Sequence, residues 1–395
     1  MDDPVAVAND SRVIEVSLHG VGATPRSNWL FLKLAMDDGH VGWGELSLRG
    51  HEAILDAILQ RLIPAIEDQT LDSLRGMRAA FPGLPCGRAG NAVLSALDQA
   101  CTDLAGQYRG VPIHRLWGAA GRHPLPAYAT VNRSIRERTP AGFADACKAA
   151  VDAGFKGVKV MPLDAVTPAT AGSESGRREV RAAVQRLAAV RAAIGSEVSL
   201  MADCHWRLDE KTARDFLDAA AELRLHWLEC PVPESHEWHE AIARLRQYAN
   251  QRGVLLAGAE NVVGASGAAP FIVGGLYDVV MPDIKYCGGY AEFARIASLA
   301  ARHGVAVSPH NPSGPVAHAH TIHVCAALGV TQPVEQQFAE SALFDACVAG
   351  EPAPFLAGAF LPPAGPGLGI AVDPVVVQAN PAGESAISMR DPSFA

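Results

Sequence analysis

The chain has 395 residues, which is longer than most single domains, so two domains are the default expectation. Its 49% hydrophobic and 19% charged residues are typical of a soluble globular protein with a large core. A formal net charge of -9 argues against broad binding to nucleic acids or anionic membranes, although metal ions or local cations could still attract an acidic substrate.

The N-terminus and the cysteines indicate the cytoplasm. The first ten residues, MDDPVAVAND, carry acidic side chains where a signal peptide needs basic ones. No run of 18 apolar residues marks a membrane-spanning helix. Eight cysteines are spread singly, without a CxxC pair, which is typical of reduced and buried thiols.

The first part of the chain predicts an α+β unit. Apolar residues alternate in VIEVSLHG (13–20) and in WLFLKLAMDDGHVGWGE (29–45), where Asp37-Asp38-Gly39 is a hairpin signal. Helices are predicted at 51–66 and 89–106, because Ala, Leu and Ile recur there at three- and four-residue spacing.

From about residue 126 a short apolar strand, a polar loop and an Ala-rich helix repeat about eight times. A doubly wound open sheet can show the same alternation, but the count favours a (β/α) barrel. A Pro- and Gly-rich segment at 360–373 is expected to leave the barrel and pack on the first unit. The predicted strands lie at 127–131, 157–160, 198–202, 226–229, 254–258, 278–282, 305–309 and 333–336.

Polar residues follow or end these strands, where the catalytic groups of such barrels lie. They are Lys159, Asp203, His205, Glu229, Glu260, Asp283, His310, Asn311 and Glu335. Scattered surface charge would not fall at the same end of successive strands. This regularity predicts a single polar site at the mouth of the barrel.

Three of these residues, Asp203, Glu229 and Glu260, contribute one carboxylate each from three successive strands. Such carboxylates cannot all ionise in a dry pocket unless a cation compensates them. All-oxygen ligation favours Mg²⁺, with Mn²⁺ as a possible substitute. The alternative is that each carboxylate caps the following helix, which is the weaker interpretation for three residues in register.

Several motifs together resemble the enolase superfamily, and within it the mandelate racemase subgroup. They are GWGE, MADCHW, HWLECPVP, LAGAEN, VVMPDIKYCGG and SPHNPSGPV, followed by the GPGLGIAVD tail. The resemblance implies an α/β fold in which a (β/α)7β barrel at 126–358 carries an N-terminal α+β capping domain at 1–125. A C-terminal segment at 359–395 would return to complete the capping domain.

The resemblance also implies roles for the polar residues. Asp203, Glu229 and Glu260 match the family's Mg²⁺ ligands, and Asp283 with His310 matches its Asp-His dyad. The shared chemistry is removal of the proton α to a carboxylate, with the metal stabilising the developing charge and a positioned base taking the proton. Asp283 would orient His310 and fix its tautomer.

Two departures from the racemase pattern narrow the reaction. Met161 stands where racemases carry the second lysine of Lys-x-Lys, and Asp283 stands where related groups carry a lysine base. His205, two residues after Asp203, was expected on the same side of the strand by period-2 alternation. This pattern resembles galactonate dehydratases, in which the strand-3 histidine protonates the departing hydroxyl. The implied reaction is β-elimination of water from an aldonate, giving a 2-keto-3-deoxy acid.

Other residues carry weaker predictions. Lys159 could bind the substrate carboxylate or form a buried salt bridge, and Glu335 is a candidate substrate contact. Asn311, Arg26 and Trp29 are further candidate substrate contacts, the last two because the capping domain reaches over the site in relatives. Cys230 replaces a glutamate that relatives usually have, and is interpreted as a small buried residue. The histidines at 318, 320 and 323 are expected to pack in a helix or face a subunit interface.

The sequence leaves two rival functions open. One is a one-base epimerase or cycloisomerase of a sugar acid built on the same site. The other, from a different class, is a catalytically silent barrel that binds a sugar acid. In every case the expected partners are a small-molecule sugar acid and further copies of the chain, with no nucleic acid and no membrane.

Overall fold

The computed structural model describes residues 6–7, 9–75, 87–119 and 121–383. Strands β1 (Val13–Thr24), β2 (Ser27–Met36) and β3 (Val41–Glu45) form an antiparallel sheet in that order. The predicted turn joins β2 to β3, and Gly39 there has a φ of 90°. Glycine adopts this left-handed conformation without a Cβ clash. The hairpin prediction is therefore confirmed.

Helices α1 (Glu52–Ile66), α2 (Leu71–Arg75), α3 (Arg88–Tyr108) and α4 (Ile113–Leu116) follow the sheet. The predicted helices 51–66 and 89–106 correspond to α1 and α3. Helix α3 lies so close to β3 that a Cβ built on Gly44 would stand 2.1 Å from the carbonyl oxygen of Ala96. Glycine in β3 and alanine in α3 thus permit a contact that brings the helix, with its polar N-terminal turns, over the barrel.

Eight parallel strands form the barrel. Neighbouring strands pair from β4 through β10, and β11 pairs with β4 on its other side. Asp203 at the end of β6 is in register with Glu229 at the end of β7. The strands are β4 (Leu125–Thr130), β5 (Gly157–Val160), β6 (Ser199–Asp203), β7 (Leu225–Glu229), β8 (Leu255–Gly258), β9 (Val279–Val280), β10 (Ala306–Val307) and β11 (Val334–Gln337).

All eight predicted barrel strands are present, but β9 and β10 are shorter than expected. Beyond their ends, Met281 donates its backbone N–H to Gly258 and Ser308 donates to Val280, at 3.0 and 3.1 Å. These bonds keep the following segments aligned with the barrel. Asp283 and His310 therefore still emerge on the side where β6 and β7 end.

Helices lie between the strands and after the barrel. They are α5 (Pro140–Asp152), α6 (Pro168–Ala171), α7 (Glu174–Ile194), α8 (Glu210–Ala219), α9 (His239–Asn250), α10 (Gly264–Val273), α11 (Tyr290–Arg302), α12 (Pro315–Leu328), α13 (Leu343–Ala346) and α14 (Pro374–Ala379), with 3₁₀ turns at Ala221–Leu223 and His236–Trp238. No helix in the described ranges is long and apolar enough to cross a bilayer.

A compact apolar layer fills the barrel beneath the strand ends. It consists of Tyr128, Met201, Trp227, Ala257, Val279 and Met281. The rings of Tyr128 and Trp227 meet edge to face at 5.3 Å between centroids, both fully buried. This floor excludes water from below, so the polar side chains at the strand ends can open only toward the mouth.

The C-terminal segment contacts both parts of the chain. Strand β14 (Ala359–Phe360) pairs with β13 (Phe355–Leu356) and with β4, while β15 (Ile370–Val372) pairs with β12 (Val348–Gly350). Leu368 donates its backbone N–H to Asp103 in α3 at 2.8 Å. These contacts agree with a segment that returns to the first unit. The limits 1–125, 126–358 and 359–395 remain our proposal.

Candidate active site

Three carboxylates lie together at the ends of β6, β7 and β8. Asp203, Glu229 and Glu260 are all at most 6% exposed. Burial raises the pKa of each carboxyl, and the negative charges of Asp203 and Glu229 raise the pKa of Glu260 further. Asp203 is in register with Glu229, and Glu229 is in register with Ala257, three residues before Glu260, so the three groups come from neighbouring strand ends.

The backbone turns sharply just past these strand ends. His205, Cys230 and Ala259 have φ values of 48°, 43° and 65°, in the left-handed region that non-glycine residues rarely adopt. Each such residue costs on the order of 1 kcal/mol, and conformations of this kind cluster at functional sites. The turned segments are held to each other, because Trp206 donates its backbone N–H to Cys230 at 2.6 Å and Cys204 donates to Glu229 at 2.9 Å.

Lys159 on β5 is a buried cation between two carboxylates. Its Nζ lies 2.5 Å from Oε1 of Glu229 and 3.0 Å from Oε1 of Glu335. Burial opposes the charged ammonium, but the two carboxylates outweigh it and hold the pKa of Lys159 well above its usual range. The salt bridge considered from the sequence is therefore present, and it places one fixed positive charge in the site.

Glu335 on β11 is held from several sides. The Thr130 hydroxyl donates to its Oε1, and the backbone N–H of Asn311 donates to its Oε2 at 2.8 Å. The side-chain nitrogen of Asn311 donates to the backbone carbonyl of Glu335 and lies within hydrogen-bond distance of His318. Its side-chain oxygen accepts from the Thr321 hydroxyl. Asn311 is 1% exposed with these groups engaged inside the protein. It therefore joins β11 to the loop after β10, and contact between Asn311 and substrate remains a prediction.

His310 and Asp283 form the predicted dyad. Nδ1 of His310 lies 2.9 Å from Oδ2 of Asp283. Burial alone would raise the pKa of Asp283, but Lys285 and His310 outweigh it and hold that pKa at about 2. The ionised carboxylate accepts a proton-bearing Nδ1, so the hydrogen-bond network assigns the lone pair to Nε2. That nitrogen lies 3.6 Å from Oε1 of Glu260 and so faces the carboxylate cluster.

His205 reaches the same site by a route that the sequence did not indicate. Strand β6 ends at Asp203, and His205 and Trp206 are both left-handed, so the expected period-2 alternation does not apply to His205. Its backbone N–H donates to Oδ1 of Asp203 at 2.8 Å. The turn, and not the pleat of a strand, therefore orients the ring.

The imidazole of His205 is half-buried and is neutral in the free site at neutral pH. Burial, assisted by the Arg207 cation, lowers its pKa to about 3. Its Nδ1 is buried and finds no hydrogen-bond partner among the residues that the structure describes. Buried polar atoms are normally satisfied, so this nitrogen is a candidate for bonding to a ligand.

The two capping-domain candidates differ in position. Arg26 lies exposed at the turn between β1 and β2, where its backbone N–H bonds to Thr24. Trp29 is 1% exposed and lies against Gly314, four residues past His310, where an added Cβ would be 2.9 Å from its ring. Substrate contact by either residue remains a prediction.

Glu45 of the GWGE motif holds the loop that carries His310. Its two carboxylate oxygens accept the backbone N–H groups of Gly314 and Ala317 at 2.8 Å each, at the start of α12. Helix N-termini favour negative charge, and Glu45 is fully buried there. The GWGE motif contributed to the family resemblance, but the sequence did not indicate this role for Glu45.

Two further contacts were missed. Glu234 accepts the backbone N–H of Ala259 at 2.6 Å and the hydroxyl of Tyr277 at 2.8 Å, so it supports the turn before Glu260. The Tyr286 hydroxyl lies 3.2 Å from Nδ1 of His310. The motifs ECPVPE and DIKYCGG contain both residues, but only the fold brings them to these partners.

The histidines of α12 are structural, as predicted. They are buried, and each bonds within the protein: His318 to Asn311, His320 to Tyr290 and Trp43, and His323 to Leu368. Burial lowers the pKa of His318 to about 4 and the pKa of His320 and His323 to about 3.

The carboxylate cluster fits a hard cation in donor type and charge. Within the described ranges, no group of three or more acidic, histidine or cysteine side chains is arranged as a metal-holding set. Both oxygens of Glu229 are already bonded, to Lys159 at 2.5 Å and to Trp227 Nε1 at 2.9 Å. The buried carboxylates nevertheless repel one another, and a divalent cation is the partner that such oxygen ligands suit.

Both parts of the chain match family models that describe domains of related enzymes. Residues 142–376 match the family described as "Enolase C-terminal domain-like", and residues 5–118 match "Mandelate racemase / muconate lactonizing enzyme, N-terminal domain". The chain is 30% identical over 299 residues, 75% of each protein, to a D-galactonate dehydratase of Verminephrobacter eiseniae (strain EF01-2).

Solved structures share the fold. A 3,6-anhydro-D-galactonate cycloisomerase from Zobellia galactanivorans superposes with a TM-score of 0.81 at 23% identity, over 93% of this chain and 99% of that one. A mandelate racemase/muconate lactonizing enzyme from Jannaschia sp. CCS1 gives 0.81 at 22% identity, over 94% and 98%. Since the family matches span both parts of the chain and the barrel is the expected one, this protein belongs to the enolase superfamily, as its motifs predicted.

Proposed function

We propose that this protein is a Mg²⁺-dependent dehydratase of a galactonate-like sugar acid, a carbon–oxygen lyase. The observation that carries the proposal is the His310–Asp283 pair, in which Nε2 of His310 faces the carboxylate cluster at 3.6 Å from Glu260. The relatives named D-galactonate dehydratase, at 28–30% identity, support the substrate class. The seven free buried cysteines of the described residues agree with a reducing compartment, for which we propose the cytoplasm.

Asp203, Glu229 and Glu260 would hold the metal ion, Mg²⁺ or Mn²⁺ in its place. When bound, the ion supplies Lewis-acid stabilisation of the negative charge that develops on the substrate carboxylate. Lys159 adds a second, permanent positive charge next to Glu229 and Glu335. Its role in the proposal is to bind the substrate carboxylate at the β5 side of the site.

His310 removes the proton from the carbon next to the carboxylate. Its Nε2 takes the proton. Nδ1 keeps its own proton in the hydrogen bond to Asp283, whose negative charge stabilises the imidazolium. The electron pair of the broken C–H bond moves toward the carboxylate and gives an enediolate. Met161, the residue after β5, has no basic side-chain atom. A second base opposite His310 is therefore not expected from that position.

His205 then protonates the hydroxyl that leaves from the next carbon. Because burial keeps His205 neutral in the free site, the negative charge of the bound substrate must raise its pKa before it can act as an acid. Loss of the hydroxyl as water leaves an enol, which becomes the 2-keto-3-deoxy acid. A one-base epimerase or cycloisomerase would not need this second proton donor, and a silent barrel would not need an oriented base.

A screen of aldonates and aldarates with Mg²⁺, scored with semicarbazide for keto acids, tests the proposal. We expect a 2-keto-3-deoxy acid from at least one substrate, and loss of its formation with EDTA. Recovered substrate that is labelled and inverted at C2 in ²H₂O, with no keto acid, would favour the epimerase. Binding without any product, unaffected by His310→Ala, would favour the silent barrel.

A further inference from the structure

The N-terminal half of α3 lies on the barrel loop that carries Tyr286. Ser95 Oγ accepts the backbone N–H of Gly288 at 3.1 Å, and Asp98 Oδ2 accepts that of Tyr290 at 2.7 Å. Gln99 Nε2 donates to the carbonyl of Ile284 at 3.3 Å. These contacts fix the first turn of the helix, where Arg88 begins it, above the end of β9.

Arg88 thereby reaches two residues that adjoin the catalytic groups. Its Nη1 donates to Oδ1 of Asn261, the residue after Glu260, at 2.6 Å. Its guanidinium lies 5.8 Å from the ring centroid of Tyr286, whose hydroxyl is 3.2 Å from His310. The positive charge is thus within one residue of both a proposed metal ligand and the proposed base.

Within the described part of the chain, the guanidinium differs from those of Arg186 and Arg246 in having no carboxylate partner. Among the residues that the structure describes, no ion pair joins Arg88 to a carboxylate, and its hydrogen bonds to Asn261 and to the Tyr286 hydroxyl do not use all five of its N–H donors. By contrast, the half-buried Arg186 pairs with Asp164 and Glu179, and Arg246 pairs with Asp278. A partly buried, unpaired cation at the mouth of a site calls for an oxygen ligand.

Topology places Arg88 across the mouth from Lys159. Strands β5 and β9 are separated by three strands on one side of the eight-stranded ring, so they lie on opposite walls. A substrate whose carboxylate is at the β5 side would extend its remaining carbons toward the β9 side. The oxygens at its far end would meet the guanidinium, which binds a carboxylate through two parallel N–H bonds or two hydroxyls through one bond each.

We infer that Arg88 is the residue that binds the far end of the acid sugar, through a terminal carboxylate or hydroxyl oxygens. This rests on the proposed function, because it assumes that the substrate carboxylate lies at Lys159. Arg88 then selects substrates that carry oxygen on the carbons remote from the reaction. It belongs to the substrate-binding surface that the capping unit adds to the barrel.

Calorimetric binding of galactonate, galactarate and lactate with Mg²⁺ tests the inference, with the wild type and every variant carrying His310→Asn so that no substrate is turned over. Arg88→Met should weaken binding of the two sugar acids about 10- to 100-fold, as expected for loss of a charge-assisted hydrogen bond, and leave lactate unchanged. Arg88→Lys, which keeps the positive charge but not the two parallel N–H donors of the guanidinium, should recover part of the lost affinity. Arg115→Met, which removes an exposed arginine of α4, is the matched control and should bind like the wild type.

The results show whether Arg88 binds a terminal carboxylate or hydroxyl groups, and they separate this inference from the dehydratase proposal. A loss confined to galactarate identifies a carboxylate, and an equal loss for both acids identifies hydroxyls; either supports Arg88. The inference is overturned if the wild type and Arg88→Met bind the sugar acids equally, or if Arg88→Met weakens lactate binding as much as sugar-acid binding. It is also overturned if the wild type binds no sugar acid. If this pattern of binding holds but the wild type forms no keto acid, the dehydratase proposal fails while Arg88 keeps its role. If Arg88→Met has a lower melting temperature than the wild type, the binding of the sugar acids by Arg88→Lys is used to test the inference instead.

Discussion

Replacing Asp283 with asparagine should invert the protonation of His310 while preserving the shape of the site. Oδ1 of Asp283 accepts the backbone N–H of Lys285 at 2.8 Å, and an asparagine oxygen can keep that bond. The amide nitrogen would then stand where Oδ2 now accepts from Nδ1 of His310 and from Nζ of Lys285, and Lys285 would keep only its bond to the Ser313 hydroxyl. An NH₂ group can only donate there, so the imidazole must place its proton on Nε2.

The expected effect follows from this tautomer. With its proton on Nε2, His310 has no lone pair facing the substrate, and the contribution of a general base, about 10²–10⁴-fold, is lost. We therefore expect Asp283→Asn to reduce the rate of α-proton exchange by about that factor. The rate is measured by ¹H NMR, from the disappearance of the C2 signal of the sugar acid in ²H₂O with Mg²⁺.

A control separates the tautomer from simple loss of charge. The Lys285 ammonium also contacts the Asp283 carboxylate, at 2.9 Å, and Lys285→Met removes this cation while leaving His310 bonded to Asp283. This variant should lose much less exchange activity than Asp283→Asn. Exchange by Asp283→Asn within a few-fold of the wild type, or an equal loss in both variants, would refute the argument from the tautomer.

Two further predictions concern the buried histidines. His205→Asn should slow water elimination by about 10²–10⁴-fold and leave α-proton exchange in place, and dehydration at the wild-type rate would remove His205 as the acid. Each fully buried histidine should also contribute a loss of stability between pH 6.5 and pH 4, because the unfolded chain takes up a proton that the buried ring cannot, at about 2 kcal/mol per histidine at pH 5. The groups concerned are His114, His318, His320 and His323, with pKa values of about 3 to 4 in place of 6.5. Replacing one of them, as in His318→Gln, should therefore make the urea midpoint less sensitive to a change from pH 7.5 to pH 5, and an unchanged sensitivity would contradict this.

The strand ends were predictable because a parallel barrel converts order along the chain into position in space. Each apolar run that stops at a polar residue predicts a side chain at the mouth, so Asp203, Glu229 and Glu260 could be grouped without a structure. The family motifs then indicated the Asp283–His310 pair, whose 2.9 Å contact the structure contains. Local pattern and barrel topology were sufficient for these residues.

The rest depends on features that no local pattern contains. His205 is oriented by two consecutive left-handed residues, which strand periodicity cannot predict. Asn311 looked like a mouth residue, but the closure of β11 against the loop after β10 engages its amide. Arg88 meets Asn261 across 173 positions of the sequence, because α3 packs on a different part of the chain. Contacts of that kind become visible only when the capping unit and the barrel are seen together.

The most direct test of the account compares wild type and His310→Asn with galactonate and Mg²⁺ in ²H₂O, followed by NMR. We predict that the wild type consumes the C2 proton and forms the 2-keto-3-deoxy acid, whereas His310→Asn does neither and still binds the metal ion. Exchange or product formation by His310→Asn at the wild-type rate would contradict the central claim that His310 is the base of a sugar-acid dehydratase.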